Sequence, residues 1–495
     1  MKTIRTEGYC SWKVGAMRGK FRRVEPRTLT VSSIRMGNFY TVASIELGNT
    51  TSKCILVSTN LNTAEIFEIE KGIRFTRDVR PPHDGEETFG RTLVGVDLTQ
   101  ASVADFISDL LKHVLQKARI GLEDLHFVVR STGVTAGFAK PEEVGKMVKA
   151  LAKGCIEAGV PPNRMTAALS ADNLPPGIRD FTWLKKVYFD GAVASCLPPA
   201  EGSIVANEME GELVTAGLKG AAKSTDVDFR NPVLTLDFGT TLAGRATNDR
   251  YPYARTIGSF AGLAGAIPDA MARIAPSVDS QSGCVLDLPT IRPETYTNIR
   301  DDTEAAHQLI RVEVVPEDVD RYGTVPVNPA AARDGEVVLI GVDVGVNGSQ
   351  LPELGDIARE VIQENDTSAL IALIDSIQVH LVQRLLTVAE ANALILPNTS
   401  LGLTGRAIVT GRKPELLANT LELADGTLWT NNHDLLVVDD GLALGAAVTA
   451  RCMNSMGTRN NPMGGRKGDA CIMGARMKLQ RNRKKSHEKS RNDSE

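Results

Sequence analysis

An α/β fold of two similar lobes with a cleft between them is what this 495-residue sequence predicts, and three observations carry the prediction. An apolar strand running into an acid, any residue, a Gly and Thr residues occurs at Ile45, Glu46, Leu47, Gly48, Asn49, Thr50 and Thr51. The same formula returns about 190 residues later at Leu236, Asp237, Phe238, Gly239, Thr240 and Thr241, and recurrence at a domain-sized interval points to two related halves. After the first copy the hydrophobic period lengthens from two to 3.6, so a meander of strands passes into strand–helix alternation.

Taken in order, residues 1–38 read as a basic arm, disordered or lying upstream of a true start at Met36; a targeting peptide fits poorly because acids are present. A first lobe is expected over 39–218, with strands at 41–47, 52–59 and near 64–75. A helix over 101–119 places Val103, Phe106, Ile107, Leu110, Leu111, Val114 and Leu115 on one face. A strand at 125–130 follows, then a helix from Pro141 with Glu142 and Glu143 in its first turn. Irregular chain fills 159–185, a short strand lies at 187–190, and a small-residue helix within 204–217 closes the half where two helices approach and the lobes pivot. The second lobe is expected over 219–457, with a Gly/Ala-rich segment at 258–274 and an insertion at about 276–335. Its later elements are a strand at 336–342, helices at 353–364 and 368–394, a strand from Ala407 turning at Gly411 into a helix, and a closing helix over 439–450. Residues 458–495 cannot form a core and are expected to be a disordered basic tail.

Composition narrows the function. The net charge of −4 hides two ends of about +7 each, which leaves about −18 on residues 36–458, an unpromising surface for nucleic acid. Seven scattered cysteines show no C-x-x-C pair, so reduced thiols are expected and an iron–sulfur cluster is not supported; the seven histidines show no zinc spacing. No uncharged apolar run reaches 18 residues, so no membrane partner is expected, and 368–394 reads as a helix buried in protein.

A strand ending in a Gly turn presents backbone N–H groups at its tip, and with nearby hydroxyls these receive phosphate oxygens. Two such hairpins, a Gly-containing loop at 405–412 and a closing small-residue helix resemble, in this order, the sugar kinase, Hsp70 and actin ATPase superfamily. That resemblance implies the actin/Hsp70-like fold of two ribonuclease H-like halves with ATP and Mg²⁺ gripped between them. Gly48, Asn49, Thr50, Thr51, Gly239, Thr240 and Thr241 would then receive phosphates, and Lys53 would neutralise them. Glu46 and Asp237 would be the catalytic carboxylates and would hold Mg²⁺ through water. Gly411 and Arg412 would flank the adenine. Glu46 stands where the superfamily has Asp, which favours a slow or partner-stimulated ATPase, and Asn49 would keep the turn by tolerating left-handed backbone.

Residues 42–53, 127–134, 207–217 and 226–232 resemble the methanogenesis marker protein 14 family, over roughly 40–456. The resemblance implies a cytoplasmic archaeal protein linked to methanogenesis, and an ATP-dependent activator, reactivase or chaperone-like factor for a metalloenzyme partner, with a homodimer also open. Two alternatives stand beside it: a small-molecule kinase, for which Asp190 and Glu208 are the candidate bases, and a non-hydrolysing nucleotide-binding scaffold.

Overall fold

The computed structural model describes residues 19–63, 65–165, 204–230, 232–249 and 254–455, with short strands at 168–169, 189–190 and 192–194. The expected C-terminal tail, residues 1–18 and most of the irregular 159–185 stretch lie outside the described residues. The chain begins with β1 (Phe21–Val24), β2 (Arg27–Thr28) and α1 (Val31–Met36). β3 (Phe39–Leu47), β4 (Thr51–Asn60) and β5 (Ile66–Phe75) form an antiparallel meander. α2 (Gln100–Ala118) starts at a capping box in which Thr99 and Ser102 exchange bonds, worth about 1 kcal/mol, and all seven apolar residues named for its face are buried. β6 (Phe127–Thr132) then runs parallel to β3, α3 (Pro141–Glu157) packs beside α2, and β7 (Ala192–Ala194) runs parallel to β6. The six-stranded order is β7-β6-β3-β4-β5-β2.

α4 (Glu208–Ala221) leads to the second lobe, which repeats the plan. β8 (Val233–Phe238), β9 (Thr241–Thr247) and β10 (Thr256–Leu263) form the meander, and α5 (Ala266–Ala272) follows. α6 (Ile299–Leu309) leads into β11 (Ile310–Val314), which pairs with β12 (Val338–Val344) at the sheet edge. α7 (Leu351–Glu364) and α8 (Thr367–Ala391) cover the outer face. β13 (Ser400–Thr404) lies parallel to β8, followed by the single turn α9 (Arg406–Val409), α10 (Lys413–Thr420), β14 (Leu435–Val438) and α11 (Gly441–Ser455). The order is β1-β14-β13-β8-β9-β10-β12-β11. In each sheet a meander has two parallel strands on the side of its first strand, with β1 added as a third at the edge of the second sheet, which is the ribonuclease H-like plan twice over and hence the expected actin/Hsp70-like fold.

The period-two alternation of each strand splits its side chains between two layers. Ala43, Ile45, Leu47 and Val128 face α2 and α3, whereas Val42, Ile55, Phe127 and Val129 face α4 and α11. Leu436 and Val438 reach that same inner layer from the second sheet, while Leu234, Leu236 and Phe238 face α5, α7 and α8. α8 is long and apolar enough to cross a bilayer, but Leu370, Leu373, Ile377, Leu381 and Leu385 lie in this core. Each fully buried Leu or Ile contributes about 1.5–3 kcal/mol there.

Four expectations are corrected. Residues 19–38 are not a loose arm: β1 extends the second sheet along β14 and β2 extends the first along β5. The basic residues satisfy the acidic body, Arg22 gripping Asp226 at 2.9 and 3.0 Å and Arg35 gripping Asp124 at 3.0 and 2.8 Å. The lobe boundary at 218 falls inside α4. Part of the expected insertion is the α6–β11 edge of the main sheet, and the segment from Ala407 is helical because Gly405, at φ 94°, turns the chain one step earlier.

α4 and α11 cross backbone to backbone. A Cβ at Gly217 would overlap the Gly441 carbonyl, and one at Gly445 would overlap the Leu213 carbonyl oxygen. Gly445→Ala is therefore expected to cost about 2 kcal/mol or more. Gly145→Ala on α3, where a Cβ meets nothing within 4 Å, should stabilise by roughly 0.5–1 kcal/mol. Urea midpoints of the two variants check this, and equal midpoints would refute the crossing.

Candidate functional site

Hairpin geometry builds the site. In the first hairpin the Gly48 N–H donates to the Thr51 carbonyl at 3.2 Å, and a Cβ at Gly48 would come within 2.6 Å of that oxygen. Asn49 is not among the left-handed residues, so the turn does not use its tolerance of that conformation. Its amide instead stitches the tip to two loops: Oδ1 accepts from Leu93 N at 2.9 Å and Nδ2 donates to the Gly133 carbonyl at 3.2 Å. In the second hairpin the Gly239 carbonyl accepts from Gly265 N at 2.7 Å, and the Thr240 carbonyl accepts from Ala264 N and Ala266 N at 3.2 and 3.1 Å. The start of α5 thus anchors this tip.

The tips meet. Thr50 Oγ1 and Thr240 Oγ1 are 2.9 Å apart, and Gly48 and Gly239 line one cleft with Glu46, Asn49, Thr51, Lys53, Asp237 and Thr241. Nine-residue pairing in register from Phe39 to Leu47 puts Glu46 opposite Lys53, while Asp237 sits beside Thr404 of β13. Glu210 from α4 and Asp440, the residue before α11, complete the floor. The free volume is only about 40 Å³.

Charge is concentrated here. Lys53 Nζ and Lys71 Nζ contact the two oxygens of buried Asp440 at 3.3 and 3.0 Å. Burial alone would raise the Asp440 carboxyl, but the two ammoniums outweigh it and hold it below its usual range. Burial likewise opposes the Lys53 charge, yet Glu46, Asp440 and Asp237 together push its pKa up. Glu46 is raised by burial first, with Lys53 only partly offsetting this, and its Oε2 is buried with no hydrogen-bond partner. Asp237 is pushed up to about 7 by burial and then by the Glu46 charge, against Lys53 and a hydrogen bond with Glu210. Such a bond between two carboxyl groups requires a proton on one of them.

The structure does not bring Gly411 and Arg412 into this cleft. Both are exposed; the Arg412 N–H donates to Asp375 Oδ2 at 3.0 Å, and the Arg412 side chain lines a second cavity of about 380 Å³ with Asp375, Val379 and Leu416. The sequence holds Thr-Gly-Arg twice, at 404–406 and 410–412, and the first copy reaches the cleft. Gly405 is required there because a Cβ would overlap Asp237 Oδ1 and the Phe238 backbone. Arg406, absent from the sequence reading, is buried beside the hairpins and pairs with Asp269, Nη1–Oδ1 2.8 Å and Nη2–Oδ2 2.5 Å. Its position directly after a strand-ending Gly was the available signal. Glu208 is a cap and not a base: its oxygens accept from Val205 N and Ala206 N at 2.6 and 2.7 Å. The Asp190 side chain lies outside the described residues.

Chemically, four tip hydroxyls and Lys53 suit phosphate oxygens, and Glu46 Oε2 suits a water on a divalent cation. Among the described residues no three His, Cys, Asp or Glu groups form a cage for a bare metal ion, and Mg²⁺ ordinarily takes one or two carboxylates with water and phosphate making up the rest.

The chain belongs to the family described as "Uncharacterized protein conserved in archaea (DUF2114)", which matches residues 39–480. An uncharacterised protein of Methanocaldococcus jannaschii is 48% identical over 466 residues, covering 94% of this chain and 96% of that one. One from Methanothermobacter thermautotrophicus is 49% identical over 453 residues, covering 90% and 84%. Among solved structures, the activator of the 2-hydroxyisocaproyl-CoA dehydratase from Clostridium difficile with bound ADPNP is 10% identical with a TM-score of 0.35, covering 83% of this chain and 94% of that chain.

The Asp237 shift has a sign that can be measured. An unfolded Asp titrates near 4, so between about pH 4 and 7 the native state holds a proton that the unfolded chain has lost. The stability from this group is complete below about pH 4 and is lost as pH rises through about 7. Asp237→Asn should therefore melt a few degrees above the wild type at pH 8, and the gap should close as the pH falls to 5. A gap independent of pH in thermal melts would contradict the buried carboxylate pair.

Proposed function

We propose that this member of the archaeal family binds ATP with Mg²⁺ between its lobes and acts as an activator or reactivase of a partner metalloenzyme, hydrolysing ATP slowly. The observation that carries the nucleotide site is the meeting of two hairpin tips, remote in sequence, over a floor of Glu46, Asp237, Lys53 and Asp440. Thr50, Thr51, Thr240 and Thr241, with the N–H groups beside Gly48 and Gly239, would hold the phosphate chain, and Asn49 would keep the first tip in place. Lys53 would face the phosphates as a point charge. Glu46 and Asp237 would orient the waters of Mg²⁺, whose charge neutralises the phosphates during transfer. Glu46 Oε2 has the open acceptor this role needs. Arg412 keeps its proposed place near the base, since the cavity it walls with Asp375 has room for a ring system and an apolar lining in Val379, Leu416 and Leu421, and Gly411 would shape the loop beside it.

Thr50 Oγ1 and Thr240 Oγ1 stand 2.9 Å apart, so no phosphoryl group fits between the two tips as they lie. Phosphates therefore enter only if the lobes part, and such opening and closing is a motion that a partner can read. The activator role comes from the resemblance to ATPases that reactivate corrinoid or radical enzymes. The methanogen sources of the two relatives favour an enzyme of methane formation as the partner, and a cytoplasmic setting. The resemblance to the methanogenesis marker protein 14 family points the same way.

A second reading, a nucleotide-binding scaffold that does not hydrolyse, is favoured by one observation: burial raises the Glu46 pKa, and a neutral Glu46 is a poor partner for a hydrated cation. With the full chain and a fluorescent ATP analogue, Mg²⁺-dependent binding is expected, weakened about tenfold or more by Thr50→Val or Thr240→Val. Turnover should fall well below the roughly 1–10³ s⁻¹ of dedicated enzymes and rise in Glu46→Asp. Binding without turnover in either form supports the scaffold, and absence of binding overturns both readings.

A further inference from the structure

Among the described residues, Arg406 is the cation whose hydrogen bonds reach both hairpin tips. Its Nη2 lies 3.0 Å from Thr50 Oγ1 and 3.4 Å from Thr240 Oγ1, so it sits where the two hydroxyls converge. The same guanidinium holds Asp269 by two parallel bonds, with both side chains buried, at 7% and 1% exposure. A bidentate pair in this setting is strong because little water competes for either partner. It also occupies the fork that a phosphoryl group arriving between the two hydroxyls would need.

We infer that Arg406 is a positioning residue that distinguishes a nucleoside triphosphate from a diphosphate by exchanging Asp269 for the terminal phosphate. This inference rests on the nucleotide reading of the cleft and adds to it the group that senses the phosphate. A phosphoryl group offers the same bidentate face as a carboxylate with more charge, so it competes for the guanidinium directly. A diphosphate that stops short of the Thr50–Thr240 junction leaves the pair with Asp269 in place. The consequence travels along a chain of contacts between the lobes. Asp269 Oδ1 also accepts from Val285 N at 3.0 Å, which opens the turn Val285–Asp287. Asp287 in turn holds Arg77 of the first lobe, by Nη1–Oδ2 and Nη2–Oδ1 bonds of 2.7 and 2.6 Å, and the Arg77 Nη1 also donates to the Ser282 carbonyl at 3.2 Å. Releasing Asp269 from Arg406 thus frees a carboxylate that supports the turn carrying the inter-lobe ion pair, so terminal-phosphate occupancy is linked to the grip between lobes.

The test is the ratio of ATP to ADP affinity, measured by titration calorimetry of the full chain in Mg²⁺. The wild type should prefer ATP. Arg406→Ala should lose about tenfold or more of that preference while keeping its ADP affinity within about twofold. Asp269→Asn, nearly isosteric, removes the competitor and should raise ATP affinity without moving ADP. Arg406→Lys should recover only part of the preference, because an ammonium cannot reproduce the fork. Melting curves without nucleotide separate misfolding from the effect, and Asp269→Asn carries the test if Arg406→Ala does not fold. If both variants bind ATP and ADP in the wild-type ratio, the exchange is wrong although the nucleotide site stands. If the wild type binds neither nucleotide, the site itself falls and the exchange with it.

Discussion

The close crossing of α4 and α11 is the constraint on which the rest depends. Two helices wedged between two sheets normally hold their axes 8–10 Å apart according to the side chains at the contact. Here Gly217 and Gly445 remove those side chains, and backbone lies on backbone. The inner faces of the sheets then close on one thin layer, with Val42 and Phe127 on one side and Leu436 and Val438 on the other. Only with that thin layer do the tips of β3–β4 and β8–β9 project to the same point, where Thr50 and Thr240 touch. Larger residues at the crossing would spread the sheets and separate the tips.

Once the tips converge, electrostatics follows from what the strands deliver. Glu46 and Asp237 arrive at equivalent strand ends, Glu210 comes from α4 and Asp440 from the turn into α11, so four acids gather around Lys53, with Lys71 on the second oxygen of Asp440. The two lysines are committed to Asp440, which leaves Glu46 and Asp237 to share a buried region without a full complement of positive charge. A carboxylate in that position either takes a proton or waits for a cation. Both acids being raised is the expected consequence, and it makes the floor receptive to a divalent ion brought in with an anionic ligand.

Much of this was legible in the sequence, because burial on one or both faces is written as hydrophobic period, and the two Gly–Thr turns mark their own strands. The elements that were missed share a physical reason. Thr-Gly-Arg occurs twice within 404–412, and nothing local distinguishes the copy that ends a buried strand from the copy that begins a helix; only pairing of Ser400–Thr404 with β8 settles it. Asn49 suggests backbone tolerance by its residue type, but its amide bonds to Leu93 and Gly133 depend on loops brought near by the fold. Glu208 is a candidate base by residue type alone, and its capping partners Val205 and Ala206 sit only three and two residues before it, so the cap is a local pattern. The basic start of the chain read as a solvated arm because its acid partners, Asp226, Asp124 and Asp439, lie far away in sequence.

That basic start also shapes how the proposed cleft would open. β1 belongs to the second sheet and β2 to the first, with only Glu25 and Pro26 between them. Two residues span about 7 Å at full extension, and Pro26 has a fixed φ, so the strap cannot lengthen to follow a separation of the lobes. β2 is paired near the start of β5, at Phe67 and Glu68, whereas Thr76 at its far end bonds the Gly48 carbonyl and the adjacent Arg77 grips Asp287. Eight residues of strand put these ends about 26 Å apart. One end of β5 is therefore held at a fixed distance from the opposite lobe, and the other is held by an ion pair that can break. The motion compatible with both is a rotation that keeps the strap and the helix crossing in place and parts the lobes at Arg77, next to the hairpin tips where a phosphate chain would have to enter.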